Sequence, residues 1–199
     1  MMKGTRRIVI QLFHPLFHKS RVNRKMVEAV EGMEGVTVRF LYDLYPDFHI
    51  DLNAEKEVLL GHDMIVWQHP FYWYSSPSLL KEWNDIVLEH GFAYGRKGRA
   101  LEGKEVMTAI TSGGSRDVYR EGGARGYTIP RLLVPFELTA KLCQMKYLPP
   151  FVVHGTHLLD GEGMASAAQH YRRVIGSLRD GYAIPDGTGK DTYMNDLIQ

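Results

Sequence analysis

Three stretches of this chain bring chemically useful side chains close together. They are "HPLFHKSRVN" from His14 to Asn23, "HPFYWYSSP" from His69 to Pro77, and "SGGSRDVYREGG" from Ser112 to Gly123. In the first, Ser20 is a natural N-cap for a following helix, whose opening N–H groups have no partner within the helix. Those groups and the helix dipole make a site for a phosphate, and His14, Ser20, Arg21 and Asn23 can add donors. In the second, Pro70 removes a backbone donor and forces His69 into an extended conformation, so a strand must end there. Phe71, Tyr72, Trp73 and Tyr74 follow in the turn, before Ser76 and Pro77 restart the chain as N-cap and first helical residue. In the third, paired glycines let the backbone approach a ligand and present N–H groups without side-chain obstruction.

Taken singly, each stretch has an ordinary explanation: a capped loop, aromatic padding of a helix–sheet seam or subunit interface, a flexible turn. Taken together they offer a phosphate site, an aromatic plane and polar contacts for a ring edge, which are the parts of a flavin mononucleotide. Other chemistries fit less well. Neither the dinucleotide glycine fingerprint nor the P-loop is present, and "GTGKDT" near the C-terminus lacks the P-loop spacing and its preceding strand. His14 and His18 are four apart but flank Pro15, with no cysteine or carboxylate cluster beside them, so no metal site is expected.

The elements that must carry these stretches alternate between strand and helix. Strands are expected over Arg6–Phe13, Val36–Leu41, Asp63–Gln68, Lys104–Thr111 and the stretch "PPFVVHGT". Helices are expected over 20–32, near Asn53–Leu60, and over Pro77–Glu89, Ile129–Cys143 and Gly163–Leu178. Such alternation implies an α/β protein with a parallel sheet covered by helices on both faces. Ligands of such sheets sit beyond the carboxyl ends of the strands, where all three stretches fall.

Composition sets the remaining bounds. A chain of 199 residues suits one domain, read as residues 1–180, with residues 181–199 as a C-terminal tail available to a partner subunit. Apolar residues at 44% and charged residues at 24% are ordinary for a soluble protein, and a net charge of +1 points to no nucleic acid and no membrane surface. The lone Cys143 excludes an intrachain disulfide and suits a reducing cytoplasm. The opening apolar run is too short for a secretory or membrane segment.

The stretches "HPLFHKSRVN", "LYDLYPDFHIDLNAE", "VWQHPFYWYSSPSLLKEWND", "HGFAYG", "LEGKEVMTAITSGG" and "LPPFVVHGT" make the sequence resemble the flavodoxin-like NAD(P)H:quinone oxidoreductases, nearest the ancillary proteins of bacterial glutathione-gated potassium efflux systems. The resemblance implies a three-layer flavodoxin-like fold with a five-stranded sheet in the order 2-1-3-4-5. It implies FMN, with FAD as the alternative, and NAD(P)H as co-substrate. It places His14, Ser20, Arg21, Val22 and Asn23 against the flavin phosphate and ribityl chain, and Pro70, Phe71, Tyr72 and Trp73 against the ring. Ser112, Gly113, Gly114 and Ser115 match the loop around the ring's polar edge. Tyr119 falls where related reductases have a catalytic tyrosine, and Arg125 where they have its histidine partner, a position at which arginine can compensate charge but not shuttle protons. The implied reaction is two-electron ping-pong hydride transfer to a quinone by a cytoplasmic homodimer. An alternative is a regulatory subunit docked on an efflux transporter at the inner face of the membrane. A one-electron carrier is disfavoured, because such proteins are usually strongly acidic.

Overall fold

In the computed structural model, residues 5–185 and 187–199 are described. Among these residues six strands, β1 (Ile8–Leu12), β2 (Val36–Phe40), β3 (Met64–Pro70), β4 (Glu105–Thr111), β5 (Lys146–Tyr147) and β6 (Phe151–Val153), form one sheet whose strands pair in parallel. Its order is β2-β1-β3-β4, with β5 and then β6 both lying beside β4, so the flavodoxin-like order 2-1-3-4-5 holds with the fifth position filled by two short strands. The break has a chemical cause. Pro149 and Pro150 fall between the two pieces and offer no N–H to the ladder, so the expected strand starts earlier and is interrupted.

Both faces of the sheet are covered. Every residue of β1 and β3 is buried, which explains why these strands read as continuous apolar runs rather than alternating ones. Alternation still sets the side. Val9, Ile65 and Trp67 pack with α3 (Leu52–Gly61), α4 (Ser78–Val87) and α6 (Val134–Leu142). Ile8, Ile10 and Val66 pack with α1 (Val22–Val30) and α7 (Gly161–Arg179). The short helices are α2 (Leu41–Leu44), α5 (Ile129–Leu132) and α8 (Met194–Leu197).

Several boundaries differ from expectation. The helix expected over Ile129–Cys143 divides at Leu133, because Pro135 has no amide to continue the ladder and its ring would crowd the preceding turn. α4 begins at Ser78 with Pro77 as its flanking residue, one position later than expected from Ser76 and Pro77. α7 begins at Gly161, where Asp160 accepts a hydrogen bond from the Gly163 N–H at 2.8 Å. The C-terminal segment packs on its own chain: Met194 and Ile198 are buried in the α1–α7 half of the core. Asn195 accepts from the Val152 N–H at 2.8 Å and donates to its carbonyl at 3.2 Å, covering the outer edge of β6 as another strand would.

Candidate functional site

A cavity of about 420 Å³ opens at the carboxyl ends of β1, β3 and β4. Of the residues singled out from sequence, His14, Ser20, Arg21, Val22, Asn23, Pro70, Phe71, Tyr72 and Gly113 line it. Trp73, Ser112, Gly114, Ser115, Tyr119 and Arg125 do not, while Lys19, Thr111, Thr156 and His157 do. Thr156 and His157 come from a fourth loop, "HGTH" after β6. It too is a strand-end loop, and that position alone was the signal for including it.

The polar end is built on α1. Ser20 is extended (φ −74°, ψ 129°) and Arg21 already helical, and no side chain caps the helix start. Ser20 therefore precedes the helix without the capping bond its type suggested. The uncapped first turn faces a cavity lined by His14, Lys19 and Arg21, a donor set suited to a phosphate. His14 Nδ1 accepts from the Leu16 N–H at 3.2 Å, which puts the hydrogen of the neutral ring on Nε2. Burial, as the largest effect, lowers its pKa and keeps it neutral at pH 7. Asn23 is held from beneath: its Nδ2 donates to Thr111 Oγ1 at 2.8 Å, and its Oδ1 accepts from Gln68 Nε2 at 3.2 Å. Gln68 Oε1 in turn accepts from the Tyr171 hydroxyl at 3.1 Å, so β3, β4 and α7 together fix the entrance of α1.

The aromatic loop divides rather than forming one wall. Tyr72 and Ser75 form a bridge closed by the Ser75 N–H on the Tyr72 carbonyl at 2.9 Å. The two residues between, Trp73 and Tyr74, have φ of +50° and +61°, the left-handed pair of a tight hairpin that usually takes Asn-Gly. Trp73 is consequently thrown outward, 90% exposed, while Phe71 turns inward. Phe71 meets the edges of Tyr74 at 6.4 Å and Tyr119 at 5.8 Å.

The third loop is seated by its rings. A Cβ on Gly114 would lie 2.6 Å from Tyr119 Cε2, and one on Gly113 would lie 2.7 Å from His157 Nε2. These glycines admit neighbouring rings; they do not mark a loose turn. Tyr119 stands behind the cavity lining, between Phe71 and His154, whose ring centroid is 6.4 Å away. The histidine near Tyr119 is thus His154, at the end of β6, and not the position of Arg125. Arg125 is exposed, its main-chain N–H bonding the Val118 carbonyl at 3.1 Å. Burial first, then the Arg116 charge, brings the His154 pKa down to about 4. Both its ring nitrogens are buried and without a partner among the described residues. Also among the described residues, no His, Cys, Asp and Glu side chains are grouped to hold a metal ion, and no helix is long and apolar enough to cross a membrane.

Comparison with known proteins bears on this arrangement. The family model described as flavodoxin-like fold matches residues 6–175. The chain is 46% identical over 168 residues to the glutathione-regulated potassium-efflux system ancillary protein KefF of Klebsiella pneumoniae (strain 342), covering 84% of this chain and 94% of that protein. Among solved structures, general stress protein 14 of Treponema denticola in complex with FMN is 38% identical with a TM-score of 0.79, covering 87% of this chain and 98% of that one. An NADPH-quinone reductase from P. pentosaceus is 32% identical with a TM-score of 0.77, covering 84% and 96% respectively.

Proposed function

Because the chain belongs to the flavodoxin-like fold family, we propose that it is an NAD(P)H:quinone oxidoreductase that works with FMN. The carrying observation is the convergence of loops from the ends of β1, β3, β4 and β6 on one cavity, cationic and uncapped on its α1 side and aromatic on its β3 side. The donor set fits the group: an uncapped helix start with His14, Lys19 and Arg21 suits a phosphate, and Phe71 and Tyr72 suit a flat ring. The names of the FMN-bound and NADPH-quinone reductase relatives support the same reading.

When bound, the flavin supplies two-electron hydride chemistry between NAD(P)H and a quinone. The protein's part is placement. The first turn of α1 with His14 and Arg21 holds the phosphate, and Asn23 keeps that turn in register through Thr111 and Gln68. Main-chain groups of Gly113 to Ser115 would serve the polar ring edge, and Tyr119, packed on Phe71 and against Gly114, would seat the loop that carries them. Arg125 is left out of this assignment, because among the described residues no contact ties its side chain to the cavity wall as Phe71 ties Tyr119. Similarity to KefF favours a further role in which a homodimer docks on a potassium-efflux transporter, which co-purification with that membrane protein would test.

The purified protein should be yellow, with an absorbance band near that of oxidised flavin, and acid release should yield FMN on chromatography. A colourless protein that takes up neither FMN nor FAD would overturn the reading. The left-handed turn gives a second expectation. Each large residue held at positive φ costs on the order of 1–3 kcal/mol, so Trp73→Asn with Tyr74→Gly should raise the urea midpoint. The same pair should weaken flavin retention severalfold in equilibrium dialysis if the aromatic turn serves the ring. Stabilisation with unchanged retention would assign the turn to something else.

A further inference from the structure

The family match ends at residue 175, yet the residues beyond it make specific contacts with the third loop. That loop, residues 112–128, is gripped near both ends. Near its start, Arg116 donates through Nη1 and Nη2 to the two carboxylate oxygens of Asp196, at 2.8 and 2.5 Å, a fork-to-fork pair. At its end, Asp191 accepts from the hydroxyl of Thr128, the residue that caps α5, and from Arg131 Nε and Nη2 at 3.1 Å each. Between the two grips the buried Tyr193 lies 4.5 Å under the Arg116 guanidinium and 5.6 Å from His154. His154 backs Tyr119, and Tyr119 backs Phe71 in the cavity wall. The gripping segment is itself anchored, by the Met194 N–H on the Pro150 carbonyl at 2.8 Å and by Asn195 on Val152.

We propose that residues 191–198 form a strap that holds the third loop closed, with Asp191 and Asp196 as positioning residues for Tyr119, so that strap docking and filling of the cavity by an isoalloxazine ring favour one another. The clamping of the loop stands on geometry alone; its coupling to flavin rests on the reading given above. Because each ligand-free opening of the strap frees the loop, a ring that packs on Phe71, which Tyr119 backs, binds the strapped state better and must reciprocally tighten the strap.

The loop carries its own reporters, Arg120 and Arg125, both exposed and both cut by trypsin when the backbone opens. In the flavin-free full chain, Asp191→Asn with Asp196→Asn should speed cleavage after Arg120 and Arg125 about fivefold, the scale expected for losing two half-exposed pairs. Cleavage after the exposed Lys97, in a different loop, should not change. The exchanged pair Arg116→Asp with Asp196→Arg should restore protection, which separates loss of the pair from general loosening of the fold. FMN added to the unsubstituted protein should slow both loop cuts, and the double variant should bind FMN about fivefold more weakly by flavin fluorescence quenching. Unchanged loop cleavage in the double variant overturns the strap. Faster cleavage with unchanged FMN affinity overturns the coupling. Failure of the unsubstituted protein to bind FMN strikes instead at the functional reading, and leaves the cleavage result to judge the clamp.

Discussion

Glu55→Ala should destabilise the protein by about 3–5 kcal/mol and lower its melting temperature by roughly 10 °C. Glu55 lies on α3 with its side chain fully buried, and its carboxylate is the meeting point of four elements and a turn. Arg39 of β2 donates to both oxygens at 2.6 and 2.7 Å. The Tyr45 hydroxyl donates at 2.6 Å, Trp83 Nε1 of α4 at 2.9 Å and Gln11 Nε2 of β1 at 3.2 Å. Burial first, then the bond to Glu55, pushes the Tyr45 hydroxyl up to about pKa 12, so it remains a donor throughout the useful pH range. Removing the carboxylate strands a largely buried guanidinium and three buried donors at once, which costs far more than the ion pair gives. The double replacement Glu55→Leu with Arg39→Leu should recover only the share due to the stranded guanidinium, because Tyr45, Trp83 and Gln11 still lose their acceptor. Urea unfolding with unchanged slope would measure both, and a loss below about 1 kcal/mol for the single variant would refute the argument. The network also matters for the site, because it ties β1, whose carboxyl end launches the first loop, to β2, α3 and α4.

How far this molecule could be read beforehand depended on whether a feature was local. β1, β3 and β4 announce themselves through apolar, β-branched runs, although β3 continues through Pro70, two residues beyond the expected end at Gln68. The strand-end rule pointed to loops that the structure brings together, and nine of the residues named from those loops and from the resemblance line one cavity. The strand order came from family resemblance, since periodicity does not say which strands are neighbours. The aromatic turn misled because its direction is set by two positive φ values, and Trp-Tyr carries none of the glycine or asparagine that usually signals them. Glu55 is one carboxylate among several in "DLNAEKEVLL"; only packing from β1, β2 and α4 makes it special. His154 and Asp196 are far from Tyr119 and Arg116 in sequence, so no spacing could have joined them. What tertiary structure alone brings together stayed hidden, and this is where the strap lies.

Acidification should unfold the protein in a window set mainly by two histidines, His69 and His154, with His14 adding in the same direction. His69 is completely buried, and burial brings its pKa down to about 4; His154, less buried, is also brought to about 4. In the unfolded chain both titrate near 6.5. Between those values the unfolded state binds more protons than the folded one, so stability rises with pH across the window and is lost as pH falls from 6.5 toward 4. His69 alone should contribute about 3 kcal/mol of that loss, and His154 somewhat less. Asp63, Asp191 and Asp196 have lowered pKa values, so their losses come mainly below this window and can be separated from it. The tautomer shows why His69 resists a proton: Nδ1–H donates to the Pro70 carbonyl at 2.9 Å, while Nε2 is buried with no partner to share a second hydrogen. Asparagine can keep the first of those bonds and cannot titrate, so His69→Asn should flatten about half of the drop in urea midpoint between pH 7.5 and pH 4.5. A midpoint that is equally steep in the variant would show that other groups govern the acid transition. The position of His69 gives the effect a functional side, because Pro70 and Phe71 line the cavity directly after it. Protonating His69 should disturb the strand end that forms that wall, so on titration toward acid flavin release should begin at a higher pH than unfolding.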